Sequence, residues 1–212
     1  MALTIRSFVA GPLETNAYLV ADDATGEAIA VDAPPGVTAD LTAVAEAAGL
    51  RIGQVVITHA HWDHIADAAP LAAATGAPLV AHPLAVDRME TSARQPGLPV
   101  EISSARPDRL LDDGDEVRVG GVAFRVLHLP GHDPAHIVLY AEAERTLLGG
   151  DVLFPGGHGT TEVPGADQAA MDRSLVRLAA LPPDVTVYPG HGRSTTIGAE
   201  ASWLPGTGKP TE

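Results

Sequence analysis

The segment Thr58-His59-Ala60-His61-Trp62-Asp63-His64 places three imidazoles and a carboxylate within six residues, at the end of the β-branched run Gln54 to Thr58. A short apolar run of this kind reads as a strand buried on both faces, so the cluster is expected on the loop that follows it. In extended chain alternate residues point the same way. His59 and His61 can therefore face one centre while the turn through Asp63 and His64 aims two further donors elsewhere. One segment can then serve two adjacent metal ions. The chain contains no cysteine, which excludes thiolate zinc sites, Fe–S clusters, disulfides and a cysteine nucleophile. Imidazole and carboxylate donors suit zinc or iron, and without thiolates they point to hydrolytic or O₂-using chemistry rather than a structural site.

The rest of the chain supplies a frame for this cluster. Leu3 to Val9, Ala17 to Ala21 and Ala28 to Val31 read as strands of a meander, separated by Gly, Pro and Asp turns. Leu41, Val44, Ala45 and Ala48 recur at helical spacing, which predicts a helix from Thr38, as N-cap, to Ala48, stopped by Gly49. Ile65 to Thr75 reads as an Ala-rich helix, Ala77 to Ala81 as a strand, and Thr91 to Asp108 as an irregular connection. In the second half, strands are expected at Val117 to Leu127, Ile137 to Ala141, Thr146 to Leu148 and Val185 to Tyr188. A helix is expected from Asp167, as N-cap, to Ala180, with Pro182 as terminator. No repeat of fixed period is present, but both halves share a strand-to-helix rhythm. The Gly- and Pro-rich tail from Trp203 is expected to be partly disordered.

Three later elements put a candidate ligand at a strand end beside glycines that permit close backbone approach: Pro130-Gly131-His132, Gly149-Gly150-Asp151 and Pro189-Gly190-His191-Gly192. The ordered set, H-x-H-x-D-H, P-G-H, G-G-D and P-G-H-G, resembles the signature of the metallo-β-lactamase superfamily from Thr58 to Gly192. That resemblance implies an α/β fold of the four-layer αββα sandwich type, with the site at one edge of the paired sheets. It implies that His59, His61 and His132 hold one metal, that Asp63, His64 and His191 hold a second, and that Asp151 bridges them. The expected cofactors are two zinc ions, with iron or manganese as substitutes. Two metals about 3.5 Å apart share a hydroxide and polarise a substrate carbonyl; Asp63, the expected catalytic residue, orients that hydroxide.

Within the superfamily, Gly149 to Gly157 resembles the glyoxalase II-like group, hydrolases of hydroxyacyl thioesters of glutathione. Where that group has Lys or Arg after the glycines this chain has Thr160 and Thr161, which leaves another thiol carrier, or a small ester, open. Lactam-hydrolysing members lack an aspartate at the position of Asp151. Persulfide dioxygenases instead hold a single iron through the equivalents of His59, His132 and Asp151, but they carry R-G-x-G-R-T-D where this chain reads P-G-G-H-G-T-T. A lactone-hydrolysing enzyme is a further alternative. A non-catalytic member would be expected to have lost ligands, and none is missing. Of the other histidines, His82 and His128 are expected to pack or hydrogen-bond and His136 to support the ligands. His158 either lines the mouth or is a solvated loop residue.

Composition narrows the partners. The formal charge is −14 and the only lysine is Lys209, so a nucleic-acid backbone would meet repulsion and a small-molecule substrate is expected instead. No apolar segment approaches the roughly 20 residues that span a bilayer, so no membrane partner and a cytoplasmic location are expected. A length of 212 residues with 45% apolar content predicts one domain over 1–212.

Overall fold

The computed structural model describes residues 3–94 and 97–205. Leu3–Ala10 (β1), Thr15–Asp22 (β2) and Glu27–Val31 (β3) form the expected antiparallel meander. Arg51–Val56 (β4), Leu79–Ala81 (β5) and Arg109–Leu110 (β6) then add in parallel, giving the sheet order β1-β2-β3-β4-β5-β6. The second sheet repeats the plan. Glu116–Val119 (β7), Val122–His128 (β8), Ile137–Ala141 (β9) and Thr146–Gly150 (β10) run antiparallel. Thr186–Pro189 (β11) lies parallel to β10, and Thr195–Thr196 (β12) forms the edge. The helices are Val37–Ala47 (α1), Trp62–Ile65 (α2), Ala68–Thr75 (α3), Val86–Thr91 (α4) and Gln168–Ala179 (α5).

Side-chain alternation builds the layers. All eight residues of β2 are buried because its two faces serve different cores. Ala17, Leu19 and Ala21 pack with Leu41 of α1 and Leu71 of α3, whereas Tyr18 and Val20 pack with Phe124 and Leu139 of the other sheet. On the far side Met171, Leu175 and Leu178 of α5 cover Leu147 and Val187. The result is the αββα sandwich. Each large apolar side chain taken fully into these cores contributes about 1.5–3 kcal/mol. Asp167 caps α5 as expected, accepting from the Ala170 N–H at 2.7 Å.

Several expectations are corrected. The N-cap of α1 is Gly36, not Thr38, and the Thr38 N–H and hydroxyl both donate to Asp67 Oδ2, at 3.0 and 2.8 Å. The single helix expected over Ile65 to Thr75 is two, α2 and α3. Ala33 inserts between them: its N–H donates to the His64 carbonyl and its carbonyl accepts from the Asp67 N–H, each at 2.8 Å. Asp63 and His64 therefore lie on a helical turn rather than a loop. Val117 to Leu127 is a hairpin, β7 and β8, reversing where Gly120 takes a φ of +55°. The elements α4, β6 and β12 were not anticipated. At the tail, Trp203 donates through Nε1 to Glu200 Oε2 at 2.7 Å and Leu204 is buried, so the chain is packed there. The rest of the tail, with Lys209, lies outside the described residues. Among the described residues no helix is long and apolar enough to cross a membrane.

Candidate metal centre

The ends of β4, β8, β10 and β11 meet at one edge of the two sheets. There the structure brings all seven expected ligands together. Donor atoms of His59, His61 and His132 lie within 4.8 Å of one another, as do those of Asp63, His64 and His191, and those of His59, His64 and Asp151. The third group links the first two, so Asp151 sits between the triads. His64 Nε2 is 3.5 Å from Asp151 Oδ1, and His132 Nε2 and His191 Nε2 are each 3.4 Å from Asp151 Oδ2.

The outward-facing ring nitrogens fix the tautomers. Nδ1 of His132 donates to the Thr160 carbonyl at 2.8 Å, and Nδ1 of His191 to the Leu13 carbonyl at 3.1 Å. Nδ1 of His64 donates to Asp32 Oδ2 at 2.8 Å. Nδ1 of His59 lies 3.0 Å from Thr58 Oγ1, which itself donates to Asp32 Oδ2, so the hydroxyl accepts from the ring. Each of these rings turns Nε2 to the centre, the atom free to bind a metal once any proton on it is released. His61 is reversed, with Nδ1 inward, 2.8 Å from His132 Nε2, and Nε2 outward, 3.8 Å from Asp133 Oδ2. Such outer partners are how proteins orient metal-binding imidazoles.

Two glycines make the convergence possible. A Cβ on Gly190 would lie 2.1 Å from Asp151 Oδ1 and 2.7 Å from His64 Cε1; one on Gly150, already at φ +48°, would lie 2.7 Å from His136 Nε2. Gly190 also ties the sheets at their edge, donating to the Gly150 carbonyl at 2.8 Å and accepting from the Asn16 N–H at 2.7 Å.

The electrostatics call for cations. Burial favours the neutral acid of Asp63, but bonds from His191 and Thr15 and the charge of His64 outweigh it and bring the carboxyl to about 2. Asp151, also buried, is held well below the ordinary range by His64 and His191. His191 is raised to about 10, and His64 well above its usual value, because the carboxylates facing them overcome burial. Burial, with neighbouring imidazoles, instead lowers His59 strongly and His61 to about 4. His59 Nε2, His64 Nε2 and Asp151 Oδ1 are buried without a hydrogen-bond partner among the described residues. Orphaned lone pairs converging from imidazole and carboxylate fit a divalent cation, since burial of such groups without a partner is costly.

The remaining histidines separate cleanly. His136 accepts the Asp151 N–H through Nε2 at 2.9 Å and stacks on His59 at a centroid distance of 5.0 Å, so it supports the centre without facing it. His82 and His128 stack on each other at 4.0 Å. His158 turns toward Trp203, 6.3 Å away, and does not line the cavity over the centre. Sequence reasoning missed Thr15, which donates to Asp63 Oδ2 at 2.7 Å, along with Asp32, Arg88 and Asp133. Asp32 carried a usable signal: it ends the apolar run Ala28 to Val31, as His59 and Asp151 end theirs.

An αββα sandwich with this donor set at its sheet edge defines a divalent-metal enzyme of hydrolytic type. The profile of the Metallo-beta-lactamase superfamily matches residues 10–191. The chain belongs to that superfamily and is a metal-dependent hydrolase. It is 33% identical to the hydroxyacylglutathione hydrolase GloC of Haemophilus influenzae, over 88% of this chain and 90% of that protein. Among solved structures, the BLEG-1 B3 metallo-beta-lactamase superposes with a TM-score of 0.86 at 31% identity, covering 95% of this chain and 98% of the other. TTHA1623 in a di-iron-bound form superposes with a TM-score of 0.82 at 39% identity, covering 94% and 98%.

Proposed function

We propose that this chain is a dinuclear hydrolase, loaded with two zinc ions, that cleaves a small thioester in the manner of hydroxyacylglutathione hydrolases. The observation that carries the reading is the placement of Asp151 between two complete triads, His59/His61/His132 and Asp63/His64/His191. When bound, the metal pair supplies an activated water at neutral pH and polarises the scissile carbonyl. Asp63 orients that water, its carboxylate held by Thr15 and lying 3.3 Å from Nε2 of both His64 and His191.

The cavity above the centre, about 440 Å³, has apolar walls from Leu13, Trp62, Val163 and Pro164. These suit a small acyl compound. Apart from the ligand cluster, the only titratable residue lining it among the described residues is Arg88, so none of these offers a carboxylic acid or free imidazole to protonate a leaving group. An alkoxide or amine needs that proton. A thiolate, whose acid has a pKa of about 8.5, leaves without it, which favours thioester over ester or amide.

The di-iron form of TTHA1623 makes iron the second reading for the metal. Elemental analysis of protein prepared without chelator, with and without His64→Ala, tests occupancy, and a panel of acyl thioesters, a lactone and a β-lactam tests the reaction. Two equivalents of zinc falling toward one in the variant, with thioester turnover reduced at least a hundredfold by Asp63→Ala, is the expected result. One equivalent of iron unaffected by His64→Ala, with oxygen uptake on a persulfide, overturns the proposal, as does turnover confined to the lactam.

A further inference from the structure

Arg88 lies on α4 and lines the cavity, the one cation there outside the ligand cluster among the described residues. One of its guanidinium nitrogens, Nη1, is paired with Oδ2 of Asp133, a carboxylate only 1% exposed whose other oxygen accepts the Ala135 N–H at 2.7 Å. Asp133 thereby fixes the long side chain in one orientation. The same Oδ2 faces His61 at 3.8 Å, so a single carboxylate separates the guanidinium from a ligand imidazole. The second amino group, Nη2, points toward Gly165, where a Cβ would come within 3.2 Å of it. A side chain at that position would crowd this edge of the guanidinium; Val163 and Pro164, just before Gly165 in the chain, line the cavity with Arg88. A guanidinium has five donors in a planar fork suited to carboxylate; Asp133 uses one side of it.

We propose that Arg88, held by Asp133, is the specificity-determining residue of the cavity and selects substrates that carry a carboxylate a few bonds from the scissile carbonyl. The inference rests on the thioesterase reading for the reaction but not for the binding. An anion drawn into a strongly acidic protein needs a local cation, and among the described residues lining this cavity Arg88 is the one cation besides any metal the ligand cluster would hold. Metals held by the ligand cluster would polarise the reacting carbonyl, which leaves Arg88 for a second, remote anionic group. The apolar residues lining the cavity, Leu13, Trp62, Val163 and Pro164, suit the short hydrocarbon that joins the two.

The test uses two non-hydrolysable thioethers of N-acetylcysteamine, S-(3-carboxypropyl) and S-butyl, titrated calorimetrically into the metal-loaded protein. The preference for the carboxylate form is the quantity read, because a ratio taken within one variant cancels any disturbance of the metal centre itself. The expected preference is about tenfold or more, lost in Arg88→Gln. Removing Arg88 alone strands a buried carboxylate and can unfold the protein. The double variant Arg88→Gln/Asp133→Asn removes the pair as a unit, and circular dichroism checks its fold. A preference that survives in the folded double variant overturns the proposal, since the carboxylate is then bound by the metals. No preference in the unaltered protein overturns it as well. If the carboxylate preference depends on Arg88 while no thioester is hydrolysed, the anion site stands and the thioesterase assignment falls.

Discussion

Asp32→Asn should weaken binding of the second metal by 10- to 100-fold while the protein stays folded. Asp32 is 2% exposed and accepts three hydrogen bonds, each 2.8 Å: the Thr58 N–H on Oδ1, and the Thr58 hydroxyl and His64 Nδ1–H together on Oδ2. Asparagine offers one oxygen and one amide. If the oxygen stays at Oδ1, the amide faces Thr58 Oγ1 and His64 Nδ1, and the neutral His64 ring that metal binding requires relieves the donor-to-donor contact by keeping its proton on Nε2 instead of Nδ1. That atom is the one turned toward Asp63 and Asp151. The tautomer that binds metal becomes the minor one. If the amide flips, it opposes the buried Thr58 N–H, leaving a backbone donor unsatisfied at about 1–3 kcal/mol. Loss of an outer partner of a metal-binding histidine costs about 10- to 100-fold in affinity, or roughly 1.4–2.7 kcal/mol. Competition with a fluorescent chelator, reading the first and second equivalents separately, measures it. A second equivalent bound within threefold of the unaltered protein, with folding verified, would falsify the claim that Asp32 sets the His64 tautomer.

Two further substitutions probe the frame. Gly190→Ala forces a methyl to within 2.1 Å of Asp151 Oδ1 and should lower stability by about 1–3 kcal/mol while reducing bound metal; a full complement of metal at unchanged urea midpoint would show that the loop yields freely. Glu200→Gln tests the clasp in which Glu200 accepts from the Gly156 N–H and from Trp203 Nε1, both at 2.7 Å, and from the Thr195 hydroxyl. Burial favours its neutral acid, but these bonds prevail and its pKa lies below the ordinary 4.5. A depressed folded-state pKa means that the carboxylate's contribution is complete above the unfolded-state value and is lost as pH falls through the folded one. At pH 7 the variant should be less stable by about 1–2 kcal/mol. In metal-free protein the gap should narrow on acidification below about pH 4.5, and a gap independent of pH would assign the effect to shape instead of charge.

Much of this architecture was legible along the chain because the signals are local. Period-two and period-3.6 patterns, broken by Gly and Pro, gave the meander, α1, α5 and most strands of both sheets. The ligand motifs announced themselves because each follows a strand, the first as a dense histidine cluster and the three later ones beside glycine. What local pattern missed is instructive. The split between α2 and α3 comes from Ala33, a residue about 30 positions upstream whose peptide takes the hydrogen bonds that a continuous helix would have made. The first turn of α1 is likewise tied down from a distance, Thr38 donating to Asp67, 29 residues on, while Gly36 is its N-cap. The short edge strands β6 and β12 are two residues each, and such strands exist only because a neighbour is there to pair with.

The sequence by itself determined which chemistry is possible: donors of nitrogen and oxygen only, an αββα frame, and seven residues able to hold metal. Tertiary structure alone decided which nitrogen of His64, His132 and His191 faces the centre, because Asp32, Thr160 and Leu13 reach their rings across separations that no window on the chain spans. It also placed Arg88 of α4 beside Asp133, 45 residues on, and so turned a helix-surface arginine into a cavity wall. Ligand identity is written in residue type, whereas tautomer, orientation and the charge a substrate meets depend on what lies across the fold.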